Sequence, residues 1–287
     1  MAGKDREHNI AIVLSAGRGS RMHMDTPKQY LDLCGRPVIA WSLRAFEEFD
    51  GVDDIILVCS GEDIGYCRSE IVDCCGFTKV RSIVAGGAER FLSVWEGLKE
   101  ADRLLDARGI SNAVRGAFVN HDSLLTEKSF TEKAQEEKTA SYVFIHDGAR
   151  PLVQSDILQN ALDDVRKYQA CVVGMPVKDT IKVADEEGFA AQTPDRRYLW
   201  QIQTPQVFSF PLVYEAYRRL IEEEITDVTD DAMVVERETS VRVKLTEGSY
   251  RNIKITTPED LEIAGLFMKN RVYAKNGCSR DVKVVVK

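Results

Sequence analysis

This chain predicts an α/β fold, a mainly parallel sheet with helices on both faces. Two observations carry that reading. Short apolar runs recur between stretches whose apolar residues fall on one helical face, and several of these runs empty into small or polar clusters, at 15–21, 85–93 and 146–151. Strand–loop–helix order of this kind gives parallel strands covered by helices. In such sheets, ligands bind beyond the carboxyl ends of the strands.

The first strand is Ile10 to Leu14. Pro37 can begin a helix whose Ile39, Leu43 and Phe46 share a face. A strand at Ile55 to Cys59, a helix near Ile64 to Cys74 and a strand at Val80 to Val84 follow. Gly86-Gly87 marks a turn before a helix carrying Phe91, Val94, Trp95 and Leu98. From Asp106 to Thr139 the chain is polar and charged, without a sustained period and longer than ordinary connections, so 106–139 reads as a surface insertion. Tyr142 to Ile145 resumes the strands. From Pro176 the pattern changes: Val177 to Val183 and a segment reaching Tyr198-Leu199-Trp200 read as the two strands of an extended hairpin, an arm over about 176–202. Helices at about Leu212 to Ile221 and Asp231 to Glu236 precede strands at Val241 to Leu245 and Ile253 to Thr256. Thr257 caps a last helix with Pro258 at its first position. A basic tail, about 270–287, ends in an apolar run that reads as an added edge strand.

Composition narrows the classes of partner. The 287 residues are 44% hydrophobic, enough for a globular core, and the formal net charge of −8 argues against nucleic-acid or anionic-membrane partners, which need an extended basic face. Seven cysteines form an odd set without paired C-x-x-C spacing, which fits a reducing cytosol better than a disulfide scaffold or a zinc site. No apolar stretch approaches the ~20 residues of a membrane span, and Met1 to Asn9 has no apolar signal core. The expectation is a soluble, cytoplasmic protein with a small-molecule partner.

The strongest local feature is Leu14-Ser15-Ala16-Gly17-Arg18-Gly19-Ser20-Arg21-Met22, followed by Pro27-Lys28-Gln29-Tyr30. Small residues after a buried strand let backbone amides approach an oxyanion, and Arg18, Arg21 and Lys28 concentrate positive charge there. A dinucleotide fingerprint is excluded by Met22, where a small residue is required, and by Cys59-Ser60, where the next strand should end in an acid. No Gly-Lys-Ser/Thr follows, so this is not a P-loop. On spacing alone, Arg21 and Lys28 read equally as solvated cations, Asp147 as a turn cap, and Lys254, between Ile253 and Ile255, as the solvent-facing residue of a strand. His8, His23 and His121 lack metal-ligand spacing.

Read together, the segments carry more. The glycine loop with Pro27-Lys28-Gln29-Tyr30 is followed, in order, by Gly86-Gly87-x-x-Arg90-x-x-Ser93-Val94, His146-Asp147-Gly148-Ala149-Arg150-Pro151, Asp179-Thr180, Gln203-Thr204-Pro205-Gln206, Thr229-Asp230-Asp231-Ala232 and Asn252-Ile253-Lys254-Ile255-Thr256. This set resembles the 2-C-methyl-D-erythritol 4-phosphate cytidylyltransferase family over roughly 10–270, interrupted by the insertion. The resemblance implies a single domain over 1–287 with a three-layer α/β/α Rossmann-like nucleotidyltransferase fold, a mainly parallel sheet and a protruding β-hairpin arm. It also implies a homodimer with arm exchange, Mg2+ as cofactor, and transfer of CMP from CTP to the methylerythritol phosphate with release of pyrophosphate. Arg21, Lys28, Lys254 and Arg196 from the partner's arm take the catalytic positions. Ala16, Gly17, Gly19, Gly87 and Ser93 take nucleotide contacts, and Asp147, Arg150, Thr180 and Thr204 substrate contacts. No protein ligands for the metal are assigned. Ser15 and Ala88 depart from residues common in the family.

Two rivals of other kinds remain at this stage: a sister enzyme that activates ribitol 5-phosphate or another polyol phosphate, and a non-catalytic nucleotide-binding protein. Gly148-Ala149, Leu199-Trp200 and Thr257-Pro258-Glu259-Asp260-Leu261 favour the methylerythritol enzyme over the first, and the retained cations argue against the second.

Overall fold

The apolar run Ile10–Ser15 forms strand β1, buried and central in the sheet of a computed structural model that describes residues 7–17, 26–110 and 141–276, with side chains through Lys269. A short ladder, β2 (Asp32–Leu33) with β3 (Arg36–Pro37), leads into the helix Val38–Glu47. Next come β4 (Asp54–Cys59), a short helix Ile64–Tyr66 continuing as a π-helical stretch Cys67–Asp73, and β5 (Val80–Ala85). The helix Arg90–Ala107, β6 (Tyr142–Asp147), the helix Ser155–Tyr168 and β7 (Ala170–Pro176) follow. The remaining elements are β8 (Val183–Ala184), β9 (Ala190–Gln192), β10 (Trp200–Ser209), helices Phe210–Glu222 and Asp231–Glu238, β11 (Lys244–Glu247) and the helix Pro258–Asn276. None of the described helices is long and apolar enough to cross a membrane.

Seven strands pair in the order β11-β7-β10-β6-β1-β4-β5. All pairings are parallel except those of β10, which runs antiparallel between β6 and β7. Side-chain alternation sorts the core into two layers. Ala11, Val13, Ile55, Leu57 and Phe144 pack against helices 38–47 and 155–168 on one face, and Ile10, Ile12, Ile56, Val143 and Ile145 against helices 90–107 and 210–222 on the other. The expected three-layer α/β architecture is therefore the observed one.

Several expectations are corrected. Ile253 to Thr256 is not a strand: Ile255 is buried with Leu33, Val38 and Met268, and its amide donates to the Ala149 carbonyl at 2.8 Å. Alternating apolar residues here serve side-chain packing, not a ladder. The extended hairpin shrinks to the β8–β9 ladder, and Trp200 belongs to the main sheet opposite Pro176. A two-stranded ribbon with no layer to cover it is marginal, and Ile181, Val183, Phe189 and Tyr198 stay exposed. The last helix runs to Asn276, so the tail's first residues continue it. The strand read at 282–286 and most of the 106–139 insertion lie outside the described residues. The helix Ser155–Tyr168 and strand β7 had no sequence counterpart.

Gly148 sits where strand end and helix meet. Its amide donates to the Leu14 carbonyl at 2.8 Å, and an added Cβ would lie 2.4 Å from Ile39 Cδ1 and 2.8 Å from the Leu14 oxygen. Gly148→Ala is expected to cost about 1–3 kcal/mol in urea unfolding through overpacking. Gly65→Ala, whose Cβ would meet nothing within 4 Å, should be neutral or slightly stabilising. Equal effects would refute the close approach.

Candidate active site

The carboxyl ends of β1, β4, β5 and β6 lie along one edge of the sheet, because these strands are parallel. Gln29 shapes the first loop from beneath. Its buried amide donates to the carbonyls of Ser15 at 2.8 Å and Gly17 at 3.2 Å. Lys28 is half-buried at the start of the turn Lys28–Tyr30, with Ala16 and Gly17 at the loop's mouth. Gly19 and Arg21 lie outside the described residues. Across the edge, a Cβ on Gly86 would stand 2.6 Å from Ala16 Cβ, so the two loops touch only because this residue has none. The Ser93 hydroxyl faces the carbonyls of Glu89 (3.1 Å) and Gly87 (3.4 Å), holding that turn against its helix.

Asp147 ends β6 and gathers three cations. Lys254 Nζ lies 2.9 Å from its Oδ2, Arg150 Nε 3.7 Å from the same oxygen, and Arg90 Nε 3.5 Å from Oδ1. Burial alone would raise the Asp147 carboxyl, but Arg90, Lys254 and Arg150 outweigh it and hold the group well below the usual carboxylate range. Lys254 thus faces the site and not bulk solvent, as the strand reading had it. Arg150 is fixed by donation to the Asn252 carbonyl at 2.8 Å. Asn252 in turn donates to the Thr204 carbonyl at 2.9 Å and to Gln203 Oε1 at 3.2 Å.

Thr204 serves the backbone. Its hydroxyl oxygen accepts from the Asp147 amide at 3.0 Å and lies 3.1 Å from His146 Nδ1. His146 Nε2 lies 3.1 Å from the Arg150 carbonyl, to which it can only donate. In the neutral ring that burial favours, Nδ1 is then the acceptor of the Thr204 hydroxyl. Burial pushes the imidazole pKa down to about 4.

The structure therefore brings Asp147, Arg150, Lys254 and Thr204 together, with the Ala16–Gly17 and Gly87–Ser93 turns along the same sheet edge. Thr180 and Arg196 stand apart on the exposed arm, where Arg196 donates to the Lys178 carbonyl at 2.6 Å. Arg90, Gln29 and Asn252 were absent from the sequence's site assignments, although each falls inside a quoted motif. Among the described residues no group of three or more His, Cys, Asp and Glu side chains is placed to hold a metal ion.

Residues 9–106 and 128–270 match the family of 2-C-methyl-D-erythritol 4-phosphate cytidylyltransferases. The chain belongs to that family. The member from Lachnospira eligens is 48% identical over 262 residues, covering 91% of this chain and 99% of its own. That from Caldanaerobacter subterraneus is 42% identical and covers 90% and 98%. The crystal structure of 4-diphosphocytidyl-2C-methyl-D-erythritol synthase from Anaerococcus prevotii superposes with a TM-score of 0.68 at 28% identity, covering 92% of this chain and 96% of that one. The family match breaks only between 106 and 128, a narrower gap than the insertion read from the sequence.

The neutral His146 has a consequence for stability. In the unfolded chain the imidazole takes up a proton below its ordinary 6.5, whereas the folded protein resists until about 4. The unfolded state binds more protons in that window, so a contribution of about 3 kcal/mol present above pH 6.5 drains away as pH falls towards 4. Urea midpoints of His146→Gln should lack this part of the pH slope. Parallel slopes for variant and wild type would mean that His146 is not held neutral.

Proposed function

We propose that this chain transfers the cytidylyl group of CTP to 2-C-methyl-D-erythritol 4-phosphate, forming the cytidine diphosphate derivative and pyrophosphate. It is a nucleotidyltransferase by family. The observation that carries the substrate reading is the convergence of Lys254, Arg150 and Arg90 on Asp147, beside two glycine turns at the sheet edge. A phosphate monoester oxygen is already anionic at neutral pH, so attack on the α-phosphorus needs no general base. What it needs is positioning and compensation for negative charges forced together.

In this reading Ala16, Gly17 and Gly19, with the Gly87–Ser93 turn, take the nucleotide. Arg21 and Lys28 stabilise the five-coordinate phosphorus. Lys254 leaves half of its pairing with Asp147 to meet the sugar phosphate, while Asp147 and Arg150 face the substrate's hydroxyls. Thr204 acts behind them by fixing the Asp147 backbone, a positioning role in place of the substrate contact expected from the sequence. The partner's arm supplies Arg196 and Thr180 in a homodimer, a reading supported by the exposed apolar residues of that arm. Mg2+ fits as the counter-ion of the triphosphate, since Mg2+ is commonly held by substrate phosphates and few carboxylates. Asp147, already faced by three cations, does not suit a protein cage for it. The six described cysteines are free thiols, in keeping with a cytoplasmic setting.

With CTP and Mg2+, purified protein should release pyrophosphate rapidly with the methylerythritol phosphate and far more slowly with ribitol 5-phosphate. Preference for ribitol 5-phosphate would overturn the substrate assignment. The arm has its own test. Lys28→Ala and Arg196→Ala homodimers should each lose on the order of 10²-fold in kcat, yet mixed dimers should regain activity from their one intact site. No recovery despite verified subunit exchange would place Arg196 in its own subunit's service or in none.

A further inference from the structure

The Thr229-Asp230-Asp231 run holds a charge that the proposed reaction leaves unused. Asp230 caps the helix Asp231–Glu238 by accepting from the Met233 amide at 2.9 Å. Gln206 of β10 clamps the same turn, donating to Asp230 Oδ2 at 2.9 Å and accepting from the Ala232 amide at 2.8 Å. Asp231, fully buried, is thereby set against helix 90–107. Its carboxylate accepts from both terminal nitrogens of Arg90 at 2.8 Å each and from the Tyr217 hydroxyl at 2.6 Å.

Arg90 spends its fork on Asp231 and turns only Nε towards Asp147, at 3.5 Å, too long for a strong hydrogen bond. Lys254 holds the same carboxylate at 2.9 Å. The two cations sit on different oxygens of one carboxylate, Arg90 at Oδ1 and Lys254 at Oδ2, and would compete only if the guanidinium spanned both. A free guanidinium would win, because its planar fork matches a carboxylate bidentately and an ammonium does not. We infer that Asp231 is a positioning residue for the transfer: by engaging Arg90 bidentately it reserves Asp147 for Lys254, and so fixes the ammonium that meets the sugar phosphate. This rests on the role given to Lys254 above.

Asp231→Asn offers one amide oxygen in place of a carboxylate, so Arg90 turns to Asp147 and displaces Lys254. Removing Arg90 as well removes the competitor, so the doubly substituted Arg90→Gln/Asp231→Asn protein should work better than Asp231→Asn alone. In substrate-free protein the acylation rate of the Lys254 amine by an N-hydroxysuccinimide ester, read by mass spectrometry, should rise several-fold in Asp231→Asn and fall back in the double variant. With both substrates, kcat/KM for the sugar phosphate should drop about tenfold in Asp231→Asn, the KM for CTP staying within about twofold, and recover several-fold in the double variant. Should Asp231→Asn not fold, Tyr217→Phe loosens the same carboxylate and should raise Lys254 acylation in the same direction. Additive losses, with Lys254 acylation unchanged throughout, would overturn the inference. Acylation that follows the expected pattern without any change in turnover would instead overturn the role of Lys254 in the transfer.

Discussion

The site depends on one buried carboxylate. Asp147 ends a central strand where desolvation opposes its charge, and it stays ionised because Arg90 and Lys254 arrive from distant segments of the chain and Arg150 from the turn that follows it. Such an arrangement adds little net stability, since each ion has lost its water, yet losing one member strands the others at a cost of about 3–5 kcal/mol. The group therefore behaves as a unit. What it secures is geometry: loop 252–255, the turn after β6 and the first residues of helix 90–107 are all referenced to the same two oxygens.

That geometry is backed by neutral hydrogen bonds. Thr204 holds the Asp147 amide, His146 holds Thr204 and the Arg150 carbonyl, and Asn252 closes the circuit from the far side. A charged imidazole at His146 would add a fourth cation beside the carboxylate and lose an acceptor. Burial prevents it. The short-range polar frame thus leaves the charged atoms as the part of the site able to exchange partners.

Much of this was legible in the sequence, for reasons that differ by region. Strands β1, β4 and β6 are largely apolar runs that end at small or polar clusters, so composition and punctuation agreed; β5 carries Arg81 and Ser82 but keeps Val80, Ile83 and Val84 before the glycine pair. β10 escaped because Gln203, Thr204 and Gln206 are polar for the site's sake, which breaks the pattern of a buried strand. The 253–256 segment misled in the opposite direction: Ile253 and Ile255 imitate a ladder while packing on a separate small cluster. Asp147, Arg150, Thr204 and Lys254 were reached through family resemblance, since spacing gave Asp147 and Lys254 a plain alternative and assigned Arg150 and Thr204 no role. Arg90 and Asp231 were within quoted motifs, but their pairing joins residues 141 positions apart and leaves no local signal.

The arm leaves the sheet at Pro176 and returns at Trp200, residues that face each other across β7 and β10, and the Val177 amide closes the neck on the Leu199 carbonyl at 3.0 Å. Entry and exit are therefore one pair of neighbouring positions. A loop rooted in this way can change length, sequence or partner without shifting the register of either strand, because closure entropy varies only slowly with loop length. Evolution can rewrite the surface offered to a neighbouring molecule while Thr204, four positions beyond the neck on the same strand, keeps its place.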